Sequence, residues 1–353
     1  MRHGGKILVS QLEAQGATAA FTVPGESFLA ALDGLHDSNR IRTVICRQEG
    51  GAAMMAEAWG KITGEPGVCF VTRGPGAANA MSGLHVAQQD STPMVLFVGM
   101  PAREHEDREA FQEIEVKQLF SSFVKWAAVI RQTERIPEYV SRAFHAARSG
   151  RPGPVVLGLP EDMLAASTEA IDAKAARVAS PAASAGDVAA LQDRLSKASR
   201  PVMIVGGPGW SHDIQKSVQA FAERFDMPVA PAFRYQDYFD NRHRCYVGCV
   251  GIGIDPKLAQ AVKTADLLLV VGAIRSRMSI RSGSKVSASR ARLGRTPSIH
   301  IVSALRWKNG SRPSRGSAFT TAPPVPSTTS RSSEMMMRGR ERLAVCWMIW
   351  SGK

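Results

Sequence analysis

Three times in the first 165 residues a short apolar run breaks at a glycine-bearing turn and passes into a helical pattern: after Val23, after Cys46 and after Val71. Runs such as Val68 to Val71 are apolar throughout, as a strand covered on both faces requires. The stretches between them carry apolar residues at helical spacing, for example Ala52, Met55, Ala56 and Trp59. Strands that alternate with helices form a parallel sheet, and right-handed crossovers then select a doubly wound α/β fold. In such a sheet the turns after the strands share one edge, where ligand crevices lie.

The pattern predicts helices over Gly4 to Gln15, Ser27 to His36, Gly50 to Thr63, Ala77 to Gln89 and Pro137 to Ser149. Strands are predicted over Ala17 to Val23, Ile41 to Cys46, Val68 to Val71, Met94 to Val98 and Pro154 to Leu157. Together they make a first domain, 1–165. Residues 166–185, rich in Ala, Ser, Thr and Lys, read as a linker. A second α/β pattern over 186–273 includes the apolar run from Pro201 that ends on Gly206-Gly207-Pro208-Gly209. From 274 to 353 periodicity stops, with sixteen serines and thirteen arginines and only brief apolar runs such as Ile299 to Val302.

The formal charge of +13 invites a nucleic-acid reading, but its distribution does not support one. Residues 274–353 hold sixteen cations against Glu334 and Glu341, so the tail carries +14 and the body −1. Two readings of that tail are open: a coding frame out of register, or a basic binding extension. Five scattered cysteines argue for a reducing compartment, and Cys245-x-x-x-Cys249 has no second ligand pair that would make a metal site. No apolar leader and no span of ~20 apolar residues occurs, which points to the cytoplasm.

The stretches VPGESF (Val23 to Phe28), RQEGGAAMMAEAWGKITGEPG (Arg47 to Gly67), TRGPGAAN (Thr72 to Asn79) and DSTPMVLFVG (Asp90 to Gly99), in that order, resemble the pyrimidine-binding domain of thiamine-diphosphate enzymes. Among these the likeness is to acetolactate synthase and its decarboxylase and carboligase relatives, over about 270 of the 353 residues. The resemblance implies a pyrimidine-binding domain, an incomplete Rossmann-like central domain and a disordered basic tail. A family member would go on to a third domain with a G-D-G motif and a later Asn-Asn; no G-D-G occurs in this sequence. The resemblance therefore reads the chain as truncated, inactive alone and without a site for Mg²⁺. Acetolactate synthases bind FAD in the central domain, but Gly206 to Gly209 does not fit G-x-G-x-x-G, which argues against a flavin here.

By the same resemblance Glu49 is the glutamate that meets N1′ of the cofactor's aminopyrimidine. Such a group must hold a proton near neutral pH, which an apolar site favours, and Ala52, Ala53 and Met54 stand beside it in sequence. Pro24, Gly25, Thr72, Gly74, Gly76 and Asn79 are expected to wall the pyrimidine pocket, and Glu26, Phe111 and Gln112 to face substrate. His85 and Gln89 are expected to be buried or partner-facing, and Glu161-Asp162 to serve turn or capping chemistry. The implied protein cleaves or ligates 2-oxo acids through thiamine diphosphate and self-associates. Two rivals stay open: a non-catalytic subunit that assembles with a full-length relative, and a nucleic-acid binder acting through its tail.

Overall fold

The structure is a computed structural model, and it describes residues 1–179 and 183–273 together with the backbone of 299–302. The tail apart from 299–302 lies outside the described residues, and so do the expectations placed on it.

The chain opens with β1 (Arg2–His3), α1 (Gly4–Ala14), β2 (Ala19–Thr22), α2 (Leu29–Asp37), β3 (Arg42–Ile45), α3 (Glu49–Thr63), β4 (Gly67–Val71), α4 (Gly74–Asp90) and β5 (Met94–Met100). It continues with α5 (Val116–Phe120), β6 (Trp126–Val129), α6 (Ile136–Arg148), β7 (Pro154–Pro160), α7 (Glu161–Ala165) and β8 (Ser167–Thr168). Six strands form one parallel sheet in the order β3-β2-β4-β5-β7-β6. One apolar cluster covers each face. Ile7, Leu12, Phe28, Phe70, Phe97 and Phe144 lie on one side, and Ala53, Leu84, Leu96 and Phe120 on the other. Phe28, Phe70 and Phe97 stack with ring centroids 6.0 and 4.7 Å apart, tying the loop after β2 to the two central strands. This is the doubly wound α/β fold that the alternation predicts.

The strand order fixes where the crevice falls. From β2 the chain leaves toward β3 at one edge, whereas from β4 it leaves toward β5 in the opposite direction. Neighbouring strands whose connections diverge in this way leave a gap above their carboxyl ends, the topological switch point of an open α/β sheet. The loops after β2 and β4 border it.

The stretch after β8 is tied down rather than loose. Gln11 and Gln15, both buried on α1, clasp its backbone: Gln11 exchanges hydrogen bonds with Ala173 at 2.7 and 3.0 Å, and Gln15 holds Lys174 and Ala176. Arg2 adds bonds to Ala170 and Asp172.

Beyond it come α8 (Ala185–Lys197), β9 (Pro201–Val205), α9 (His212–Arg224), β10 (Val229–Pro231), α10 (Pro256–Thr264), β11 (Leu267–Val271) and β12 (Ile299–Val302). They build a second sheet in the order β10-β9-β11-β12, parallel except for β12, which pairs antiparallel with β11. The predicted pattern ends at 273, yet this sheet takes up Ile299–Val302 from beyond it. Met203, Val205, Met227, Val229 and Leu269 fill its core, and Trp210 stacks on Tyr238 at 4.8 Å.

Candidate functional site

Glu49 is the first residue of α3, and Gln48 caps that helix by accepting a hydrogen bond from the Gly51 amide at 2.8 Å. An acid in a first turn is favoured by the helix dipole. Here it is also held: Asn79 Nδ2, in the second turn of α4, donates to Glu49 Oε2 at 2.9 Å. Glu49 Oε1 accepts no hydrogen bond from the described residues, so one edge of the carboxyl is open to a ligand.

The glycines around it have a steric reason. A Cβ on Gly76 would lie 3.0 Å from Thr72 Cγ2 and 3.5 Å from Glu49 Oε1. A Cβ on Gly25 would lie 2.7 Å from Thr72 Cβ and 3.2 Å from the Phe28 ring. Thr72 thus stands between the two glycines, and its hydroxyl lies 2.9 Å from Ser27 Oγ. Gly25, Glu49, Thr72, Gly76 and Asn79 form one contiguous group at the β2/β4 switch point. Glu49 itself is half-buried. Of its apolar sequence neighbours, Ala52 and Ala53 are buried in the core behind α3 and Met54 is half-buried.

Gly74 and Gln112 make a neighbouring cluster. The Gly74 amide donates to Gln112 O at 2.9 Å, and a Cβ on Gly74 would lie 2.9 Å from Ile114 Cγ2. Gln112 has φ +60°, and Asp107 and Glu109 in the same loop have φ +62° and +55°, an unfavourable conformation for residues other than glycine. Phe111 is 72% exposed, and Pro24 is exposed as well.

Glu26 is tied to Arg73, a residue of the TRGPGAAN stretch whose own partners the sequence does not reveal. Arg73 is 8% exposed, and its guanidinium meets Glu26 Oε1 at 3.2 Å and Glu161 Oε2 at 2.7 Å, joining the loops after β2, β4 and β7. Glu161 and its neighbour Asp162, which pairs with Arg103 at 2.7 Å, are therefore ion-pair partners rather than simple turn chemistry. His85 and Gln89 both stand exposed on α4, which leaves only the partner-facing half of that expectation. Cys69 is buried in β4; burial pushes its thiol up, and nearby Cys46 and Glu49 add to the rise. Such a thiol is inert.

Residues 2–119 match the family description "Thiamine pyrophosphate enzyme, N-terminal TPP binding domain", and residues 188–303 match "Thiamine pyrophosphate enzyme, central domain". The chain belongs to the thiamine pyrophosphate enzyme family. It is 32% identical over 280 residues to an acetolactate synthase large subunit of Parasynechococcus marenigrum, covering 76% of this chain and 45% of that protein. It is likewise 32% identical over 278 residues to the acetolactate synthase isozyme 3 large subunit of Escherichia coli, covering 77% of this chain and 48% of that protein. The chain thus spans a little under half the length of these relatives. The match to the central domain runs to 303 and includes β12.

Membership implies thiamine diphosphate as the cofactor. The described residues offer it a carboxyl edge at Glu49 and two glycine walls that any larger residue would fill. No group of three or more His, Cys, Asp or Glu that could hold a metal occurs among them. No described helix is long and apolar enough to cross a membrane.

Proposed function

We propose that the crevice at the β2/β4 switch point receives the aminopyrimidine of thiamine diphosphate and that Glu49 is its acid–base partner. The observation that carries this is the Asn79–Glu49 bond of 2.9 Å, which fixes one carboxyl oxygen and leaves the other open beside Gly76. Asn79 stops the carboxyl from turning, so that a proton on Glu49 Oε1 points at one place. Gly76 and Gly25 let a flat ring come close to the backbone, and Thr72, steadied by Ser27, separates them. Arg73 anchors Glu26 beside this group on the side given to substrate. When bound, the cofactor supplies the electron sink for cleaving or forming a carbon–carbon bond next to a carbonyl. A positioned general acid–base contributes roughly 10²- to 10⁴-fold, and Glu49 is assigned that share.

The complete protein, on this reading, acts on 2-oxo acids in the manner of an acetolactate synthase, with Mg²⁺ as a second cofactor. It works in the cytoplasm, consistent with the free Cys46, Cys69 and Cys245. Self-association is supported by Ile45, Met55 and Ile62 on β3 and α3, which are 63%, 40% and 83% exposed. The 353-residue chain alone should grip only the pyrimidine end and turn over no 2-oxo acid. Calorimetric titration of that chain with thiamine diphosphate and Mg²⁺ tests this. Weak or undetectable binding is expected, because one end of the ligand must offset the whole cost of immobilising it, roughly 4–15 kcal/mol. A dissociation constant in the low micromolar range would overturn the half-site reading.

A further inference from the structure

Asp90, the last residue of α4, is buried at 7% exposure and carries two cations from two parts of the molecule. Lys61 Nζ, on α3, donates to its Oδ2 at 2.8 Å. Arg234 Nη1, from the segment after β10, donates to its Oδ1 at 2.5 Å. The neighbouring Tyr235, also buried, donates its hydroxyl to the Asp90 backbone carbonyl at 2.8 Å, and Lys61 Nζ lies 5.3 Å from the Tyr235 ring centroid. Arg151 holds the same end of α4 through Ser91 Oγ and the carbonyls of Gln88 and Gln89.

The helices joined here are the ones that carry the site. At their N-terminal ends α3 and α4 meet through Asn79 and Glu49; at their C-terminal ends they meet through Lys61 and Asp90. Between the two contacts lie about 18 Å of helix at 1.5 Å per residue. The helices touch on the way: a Cβ on Gly83 of α4 would lie 2.5 Å from Ala53 Cβ of α3, so there is no slack at the crossing. A close-packed pair of rods that pivots on such a point transmits a change at one end to the other.

We propose that Asp90 is a positioning residue for the Glu49–Asn79 pair, and that Arg234 and Tyr235 make the geometry of that pair depend on the docked central segment. Arg234 saturates the second oxygen of a buried carboxylate. Without it, that oxygen is left unsatisfied, and Asp90 is drawn toward Lys61 or toward water. Either movement shifts the end of α4 against α3, and Gly83 passes the shift on to Asn79. The value of this coupling for catalysis rests on the role proposed for Glu49, but the coupling itself is read in the backbone and needs no ligand.

Hydrogen exchange on the full 353-residue chain tests it. The amides to follow are those of residues 53–57 and 78–82, the first in α3 and α4 with intrahelical partners. Arg234→Gln should speed their exchange by about 10-fold, and Arg234→Lys should restore most of the protection. Asp90→Asn should act in the same direction; if it does not fold, Arg234→Gln, whose side chain is 35% exposed, still decides. Leu258→Ala, in the central segment and away from Asp90, serves as a control for general destabilisation. The inference is overturned if Arg234→Gln speeds exchange only around residues 88–93 and 233–239, or if Leu258→Ala produces the same rise at 53–57 and 78–82. A low-micromolar dissociation constant of the chain for thiamine diphosphate would count against the half-site reading of the proposed function and leave this result unaffected.

Discussion

The carboxamide of Asn79 and the carboxyl of Glu49, thirty residues apart in sequence, meet at 2.9 Å across the N-terminal ends of two helices. Each helix starts where its strand ends, so a parallel sheet brings the two starts together without any local sequence signal linking them. Asn79 is neutral, and it fixes the carboxyl by a hydrogen bond rather than by a counter-charge.

Glu49→Gln should keep the fold, since glutamine has the same shape and its Oε1 can still accept a bond from Asn79. In an enzyme that joins these residues to a diphosphate-binding segment, turnover should fall by on the order of 10²-fold or more. Asn79→Ala should cost less in turnover, because it frees the carboxyl to rotate and leaves it chemically intact. Steady-state kinetics of the two variants beside circular dichroism check both; near-normal activity in Glu49→Gln would mean that its role is misassigned.

Two glycines beside the site should respond oppositely to one added methyl group. In Gly25→Ala the Cβ would fall 2.7 Å from Thr72 Cβ, and overpacking of that kind costs about 1–3 kcal/mol. In Gly51→Ala the nearest atom is Gln48 Oε1 at 4.0 Å, and the helix gains roughly 0.5–1 kcal/mol from the better helix former. Urea denaturation of both variants separates them by the sign of the change.

Glu57 on α3 is 7% exposed and accepts a hydrogen bond from the Thr92 hydroxyl at 2.8 Å. Burial pushes its carboxyl up from the ordinary 4.5; the Thr92 bond and Lys61 pull it back, and Asp90 adds to the rise. A carboxyl raised in the folded state binds its proton more tightly there than in the unfolded chain. Its contribution is therefore fully present below pH 4.5 and is lost as pH rises through the folded-state value. Glu57→Gln keeps the Thr92 bond and has no charge to bury. It should exceed the parent in stability by roughly 1 kcal/mol near pH 7, about 2–4 °C in Tm, and the gap should close toward pH 4.5. Melting curves across that range check it; a gap that widens toward acid would refute the assignment.

The alternation of apolar runs with helical spacing was enough to read ten elements of the first domain, because Met94 to Met100 and Pro154 to Pro160 are buried along their whole length and carry that in their composition. Trp126–Val129 escaped notice because it is a short edge strand, and its pairing with β7 depends on a neighbour about thirty residues away. Ile299–Val302 was visible as an apolar run, but its partner β11 lies across a stretch with no period. The five residues in contact around Glu49 all lie in glycine-bearing motifs, and a glycine at a strand's end is a local signal. Arg73 and Asp90 also lie in such stretches, but nothing local marks their partners. Arg73 takes its partners from Glu26 and Glu161, outside its own motif, and Asp90 takes one of its own from Arg234, 144 residues on. Composition records that an arginine is present, and only the fold says that it is buried. Gln11 and Gln15 belong with them, since one-turn spacing on α1 does not reveal the backbone they clasp.

If these residues grip the pyrimidine end of the cofactor through Glu49, backbone amides followed by NMR should report it when the isotope-labelled 353-residue chain is titrated with thiamine and, separately, with thiamine diphosphate. Both ligands should shift Gly25, Glu49, Gly50 and Gly76, with affinities within about tenfold of each other, and Glu49→Ala should remove these shifts. Shifts that leave those four amides untouched, shifts that survive Glu49→Ala, or a diphosphate form bound about a hundredfold more tightly than thiamine would contradict it.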